Sequence, residues 1–166
     1  VPLRYLEMSE PHTPSDAEVV RALERAQLSI DAATFPDGLS TELGERGVNL
    51  SGGQKQRLSL ARAVFAARPL VFLDDPLSAV DTETERALVS SLWKGEWAQR
   101  HTLVWATHRL AHLCLAEKVI VLDQGTVIEQ GDWQTLSQAG TRLHSILDSL
   151  RPAERTGAEP SGGRPE

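Results

Sequence analysis

Three short apolar runs, each ending in polar or charged residues, constrain the fold of this chain more than any other feature. Leu70-Val71-Phe72-Leu73 runs into Asp74-Asp75, Leu103-Val104-Trp105-Ala106 into Thr107-His108, and Val119-Ile120-Val121-Leu122 into Asp123. The first two runs read as buried strands, the first on both faces, and the third as a strand. The stretch from Thr82 to Trp93 between the first two reads as a helix, Arg109 to Leu115 as a shorter one, and Asp123-Gln124-Gly125 as a hairpin turn with Thr126 to Glu129 returning. Strands alternating with helices predict an α/β layered fold with a largely parallel sheet. At 166 residues the chain is long enough for one domain.

The flanking segments follow from local signals. Residues 1–14 carry three prolines and no sustained periodicity, so they read as an irregular lead-in. Ser15 and Glu18 form a capping-box pattern ahead of an apolar stripe (Val19, Val20, Leu23, Ala26, Gln27), which predicts a helix over about 15–28. Pro36-Asp37-Gly38 marks a turn, and residues 39–50 read as loop. A second helix is expected from about Gly52 to Ala66, burying Leu58, Ala61, Val64 and Phe65, and a last one over about 141–150. Residues 151–166 hold three Pro, three Gly and no large apolar side chain, and are expected to be disordered. The expected organisation is therefore a lead-in, a globular part over 15–150 divided near residue 66, and a tail.

Composition excludes several classes. The formal net charge of −6 shows no basic surplus, so nucleic acid is not an expected partner. One cysteine, Cys114, makes neither an internal disulfide nor a cysteine-rich metal site and points to a reducing compartment. No apolar run approaches the roughly 20 residues that cross a bilayer. The chain starts at Val1 rather than Met, which suggests a longer open reading frame.

Three clusters carry chemistry. In Leu50-Ser51-Gly52-Gly53-Gln54, a serine and two glycines open a helix, so unpaired N–H groups and the helix dipole favour an anion such as a phosphate; taken alone, the bare Ser-Gly-Gly favours Ser51 as a plain N-cap with glycines ending a loop. Asp74 and Asp75 end a strand at the sheet edge where open α/β folds bind ligands. There Asp74 can hold a hydrated Mg²⁺ and Asp75 can orient a water, or both can cap the turn into Pro76. Asp81 opens the next helix, where a carboxylate is also an ordinary N-cap. His108 follows the second strand at the same edge and can contact a phosphate, or serve structure alone. His12, His101, His112 and His144 have no such setting.

In order and spacing these clusters resemble the ATP-binding cassette (ABC) family of transport ATPases over about residues 15–137. By that resemblance Leu50–Gln54 is the signature motif, Leu70–Asp74 the Walker B strand, Ser78-Ala79-Val80-Asp81 the D-loop and His108 the switch histidine. Gly44-Glu45-Arg46-Gly47-Val48-Asn49 looks like the X-loop of ABC exporters, which in the family lies near the coupling helices. The resemblance implies an incomplete P-loop NTPase-like fold, ATP with Mg²⁺ at Asp74, catalytic roles for Asp75 and His108, and signature residues that act on ATP held by a second nucleotide-binding domain. It also implies a transmembrane domain as partner and a place at the cytoplasmic face of a membrane.

Two departures from the family pattern stand out. No G-x-x-x-x-G-K-[ST] phosphate loop occurs, and the only lysines follow Gln54, Trp93 and Glu117. The family's Q-loop glutamine would also lie upstream. The carboxylate after Asp74 is Asp75 where competent members usually carry Glu; it is one methylene shorter, and a misplacement of about an ångström can cost a hundredfold in rate. An intact signature beside a weak Walker B resembles the degenerate half of asymmetric exporters. The rival expectations are a non-catalytic remnant or regulatory module of ABC origin, and a soluble ABC protein of DNA repair or translation.

Overall fold

A computed structural model describes residues 15–43 and 49–150; the lead-in 1–14, most of the X-loop stretch (44–48) and the tail 151–166 lie outside the described residues. The chain divides into two compact units, the first ending at His108 and the second beginning at Arg109.

The first unit opens with α1 (Asp16–Arg25), started by a complete capping box between Ser15 and Glu18. It ends three residues short of the expected Leu28 because Gln27 adopts φ +54 and turns the chain. Leu28, fully buried, then leads into α2 (Ser29–Ala33), a turn of helix the apolar pattern does not announce. Gly38 takes φ +52 at the expected turn. The long helix α3 (Gly52–Ala66) matches expectation in its bounds, with Leu60, Ala61 and Val64 buried. Leu58 and Phe65 are only half-buried, a correction to the expected face.

Strand β1 (Leu70–Asp74) pairs in parallel with β2 (Thr102–Ala106), placing Asp74 opposite Ala106. The reading of β1 as buried on both faces, and of β2 as a buried strand, is overturned. Val71 and Leu73 are buried, but Leu70, Phe72 and Val104 are exposed, Phe72 to 72%. A strand's side chains alternate between faces, and among the described residues only one face of this pair is covered.

Between the strands lie α4 (Thr82–Leu88) and a π-helical turn, Val89–Trp93, where one continuous α-helix was expected. The Lys94 N–H donates to the Val89 carbonyl, a five-residue step. Gly95 then caps the short helix α5 (Glu96–Gln99), which buries Trp97. A Cβ on Gly95 would stand 2.2 Å from the Ser91 carbonyl oxygen, inside any tolerated contact. Gly95→Ala must therefore shift the backbone of the π turn, and chemical denaturation is expected to show a loss of about 2 kcal/mol. A melting curve unchanged from wild type would contradict this account.

In the second unit a 3₁₀ segment (Leu110–Leu115) stands where a short helix was expected. β3 (Val119–Asp123) and β4 (Thr126–Gly131) pair antiparallel through the expected turn, Gln124 and Gly125 both adopting positive φ. Val119 and Val121 pack with Leu136 of α6 (Trp133–Leu136) and Leu143 of α7 (Arg142–Leu150). Both carboxylate oxygens of Glu129, on β4, accept the first amides of α7, from Arg142 at 2.7 Å and Leu143 at 2.9 Å.

Candidate functional site

Ser51 stands at the start of α3 in an extended conformation and completes a reciprocal cap with Gln54. Its hydroxyl accepts the Gln54 N–H at 3.2 Å, and the Gln54 side-chain oxygen accepts the Ser51 N–H at 2.9 Å. The cap leaves the amides of Gly52 and Gly53 with no intrahelical acceptor. Ser51 and Gly52 are exposed, so these donors lie beside an accessible surface at the positive end of a 15-residue helix. The plain-cap reading and the anion reading are compatible, since the same serine orders the turn from which the glycine amides project.

Asp31 of α2 anchors this turn from one side. Its carboxylate accepts from Gln54 Nε2 at 2.8 Å and from both arms of Arg57, at 2.8 and 3.4 Å. The same guanidinium also donates to the Gln27 carbonyl, the residue at positive φ that ends α1. Burial works to raise the pKa of Asp31, but hydrogen bonds from Gln54 and Arg57, together with the guanidinium charge, outweigh it and hold the carboxyl below its ordinary range. The side-chain amide of Gln54, a candidate ATP contact by sequence, is thus used within the chain, once on Ser51 and once on Asp31.

On the other side, α3 lies against the loop that follows β1. A Cβ on Gly53 would meet the Ala79 carbonyl oxygen at 2.9 Å, so the loop backbone approaches the helix closely at the second signature glycine. Gln56 spans the same gap. Its amide nitrogen donates to the Asp75 carbonyl (2.9 Å) and to Ser78 Oγ (2.8 Å), while its oxygen accepts the Ala79 N–H (2.8 Å).

Asp74 ends β1 and is exposed at the carboxyl edge of the parallel pair. Asp75 extends the ladder by one bond, its N–H donating to the Ala106 carbonyl at 2.8 Å, then turns at φ +40. That left-handed conformation is uncommon for a non-glycine residue, and Asp tolerates it better than most. One carboxylate oxygen of Asp75, Oδ1, is buried and has no hydrogen-bond partner among the described residues. His108 is exposed two residues past the end of β2, at the same edge as Asp74 and Asp75 because the strands run parallel in register.

Asp81 has the ordinary capping role. Its Oδ1 accepts the Glu83 and Thr84 amides, and its Oδ2 the Thr84 hydroxyl. The backbone bond from Thr84, then its hydroxyl, lower the pKa of Asp81. Asp31, Gln56 and Arg57 were missed from the sequence, whereas Ser51-x-x-Gln54 is a capping box that could have been read there.

Carboxylates at the carboxyl edge of a parallel strand pair, beside a helix that starts Ser-Gly-Gly, fit a fragment of an α/β fold of the P-loop NTPase kind. The sequence profile described as ABC transporter matches residues 6–78. The chain is 40% identical over 138 residues to the mitochondrial iron-sulfur clusters transporter ATM1 of Candida albicans, covering 82% of this chain and 18% of that protein. It is 42% identical over 140 residues to the ATP-dependent lipid A-core flippase of Burkholderia orbicola, covering 81% of this chain and 23% of that protein. Among solved structures, a bacterial Atm1-family ABC exporter with ATP bound superposes with a TM-score of 0.80 at 31% identity, over 92% of this chain and 26% of that one. The chain belongs to the ABC transporter family, and these relatives place it with the nucleotide-binding domains of ABC exporters. It spans about a fifth of the length of each of these two curated relatives.

Proposed function

We propose that this chain supplies a signature face to a pair of ABC nucleotide-binding domains that couples ATP hydrolysis to export through a transmembrane domain. The observation that carries the reading is the start of α3: a Ser51-Gly52-Gly53 turn, exposed at Ser51 and Gly52, capped and braced, with two donor amides at a helix N-terminus. A γ-phosphate held by the partner's Walker motifs is the anion that suits these donors. The reaction is ATP + H₂O to ADP + phosphate.

The chain's own edge supports a second, weaker site. Asp74, an exposed carboxylate at a strand end, fits a hydrated Mg²⁺, which takes one or two carboxylates and keeps several waters. When bound, that ion neutralises charge on the phosphate oxygens. Asp75 would orient the attacking water through Oδ1, the buried oxygen without a partner among the described residues. His108 would donate to the γ-phosphate from the neighbouring strand. The asymmetry rests on Asp75 being shorter than Glu and on the sequence holding no G-x-x-x-x-G-K-[ST] pattern. The location that goes with this role is the cytoplasmic face of a membrane; among the described residues no helix is long and apolar enough to cross one.

The test is phosphate release. This chain alone, with saturating Mg-ATP, is expected to show no turnover above background. Turnover typical of an ABC domain would overturn the reading, because it requires a phosphate cradle that these residues do not supply.

A further inference from the structure

Gln56 is not among the residues that would touch nucleotide, yet it makes three hydrogen bonds to one short loop. Each joins positions 19 to 23 residues apart in sequence: Gln56 to Asp75, to Ser78 and to Ala79. Both amide hydrogens and the amide oxygen are in use, and an amide is the side-chain group that can donate twice and accept at once. A carboxylate of the same shape could accept from Ala79 but could not donate to the Asp75 carbonyl.

The loop needs such a brace. Asp75 is at φ +40, a sparsely populated conformation held only when its surroundings determine it. Its carbonyl is fixed by Gln56 and by the Ser78 N–H at 3.2 Å. Ala79 lies under the signature turn itself, since its carbonyl fills the space a Gly53 side chain would need. On the opposite side, Asp31 holds α3 through Gln54 and Arg57. Without the Gln56 clasp the helix start would keep its ties to Asp31 and to the Gln27 carbonyl but lose three side-chain hydrogen bonds to the Asp75–Ala79 loop.

The geometry points to Gln56 as a positioning residue that locks the signature turn to the loop after β1, so that the Gly52 and Gly53 amides are presented to the partner's nucleotide at a set height and angle. This rests on the reading of the signature face given above. It makes Gln56 a determinant of turnover without contact to ATP.

The experiment is steady-state ATPase of the full-length protein in its assembled pair, comparing wild type, Gln56→Leu, Gln56→Glu and Ser51→Arg, with hydrogen exchange at the Ala79 amide as a second readout. Gln56→Leu is expected to lower kcat at least about tenfold, with KM for ATP within about twofold, because an ångström of misplacement acts on the transition state. Exchange at Ala79 should quicken while amides in β1 stay protected. Gln56→Glu, which keeps the acceptor, should retain the Ala79 protection and lose less rate. If the Leu variant does not fold, the Glu variant is judged instead, a kcat lowered about threefold or more with KM for ATP within about twofold being the expected result. Wild-type kcat in a folded variant, or a lost rate matched by a rise in KM, overturns the inference. Failure of Ser51→Arg to reduce turnover overturns the signature reading instead, so the two failures are distinguishable.

Discussion

Ser51→Arg is expected to abolish ATP turnover in the assembled pair. Ser51 is exposed at the N-terminus of α3, and an arginine there brings bulk and a positive charge into the space where the partner's γ-phosphate would meet the Gly52 and Gly53 amides. It also removes the cap to Gln54, so Ser51→Ala is the control. The Ala variant loses the cap, about 1 kcal/mol of helix stability, and the serine hydroxyl, but adds neither bulk nor charge, so it should lower turnover less than Ser51→Arg does. The complementary variants act on the other edge. Asp75→Asn and His108→Ala should change turnover little if this chain's own site is already slow, and Asp75→Glu should raise it by restoring reach. If both sites fire, Asp75→Asn costs about half of the turnover, or nearly all of it where the sites are tightly coupled. Steady-state phosphate release separates the cases: a large Asp75→Asn defect with a mild Ser51→Arg defect overturns the asymmetry.

Asp31→Ala should cost about 2–3 kcal/mol of stability, the largest loss expected from a single polar side chain here. Asp31 and Arg57 are 23% and 15% exposed at the side chain, so removing the carboxylate leaves a mostly buried guanidinium with the Gln27 carbonyl but without its counter-charge. The magnitude stays below that of a fully buried pair because solvent still reaches both partners. Arg57→Ala should cost a similar amount, and the double variant less than the sum, since the partners share one interaction. The pair also sets an acid limit. The carboxyl of Asp31 is held below its ordinary value of 3.8 in the folded chain, so its contribution is fully present above that value and is lost as pH falls through the lower, folded pKa. Urea midpoints measured from pH 7 down to pH 3 should therefore decline more steeply for wild type than for Asp31→Asn. Parallel curves would remove Asp31 from the acid response.

Much of the secondary structure was legible because it depends on neighbours in sequence. The Ser15–Glu18 box starts α1, Gly52 to Ala66 is helical as its composition indicates, and Gln124-Gly125 turns the hairpin. Each depends on residues within a few positions, where propensity and capping act. The end of α1 was less legible because it depends on Gln27 adopting positive φ, and the Gln27 carbonyl is held from a distance by Arg57. The π turn over Val89–Trp93 is likewise invisible to a 3.6-residue pattern, although Gly95 just beyond it is demanded by its geometry.

For the candidate site, sequence alone determined the residue types and the edge: a serine and two glycines opening a helix, and Asp74, Asp75 and His108 at strand ends that a parallel pairing brings to one side. Tertiary structure decided how that turn is held. Asp31 reaches Gln54 and Arg57 across 23 and 26 residues, and Gln56 reaches Asp75, Ser78 and Ala79 across 19 to 23. Polar pairs at such separations leave no periodic trace, because a hydrogen bond depends on where two backbones meet and not on residue type alone. Tertiary structure likewise decided which face of β1 is covered. An apolar run marks a strand, but burial of Val71 and Leu73 against exposure of Leu70 and Phe72 depends on which elements lie against each face.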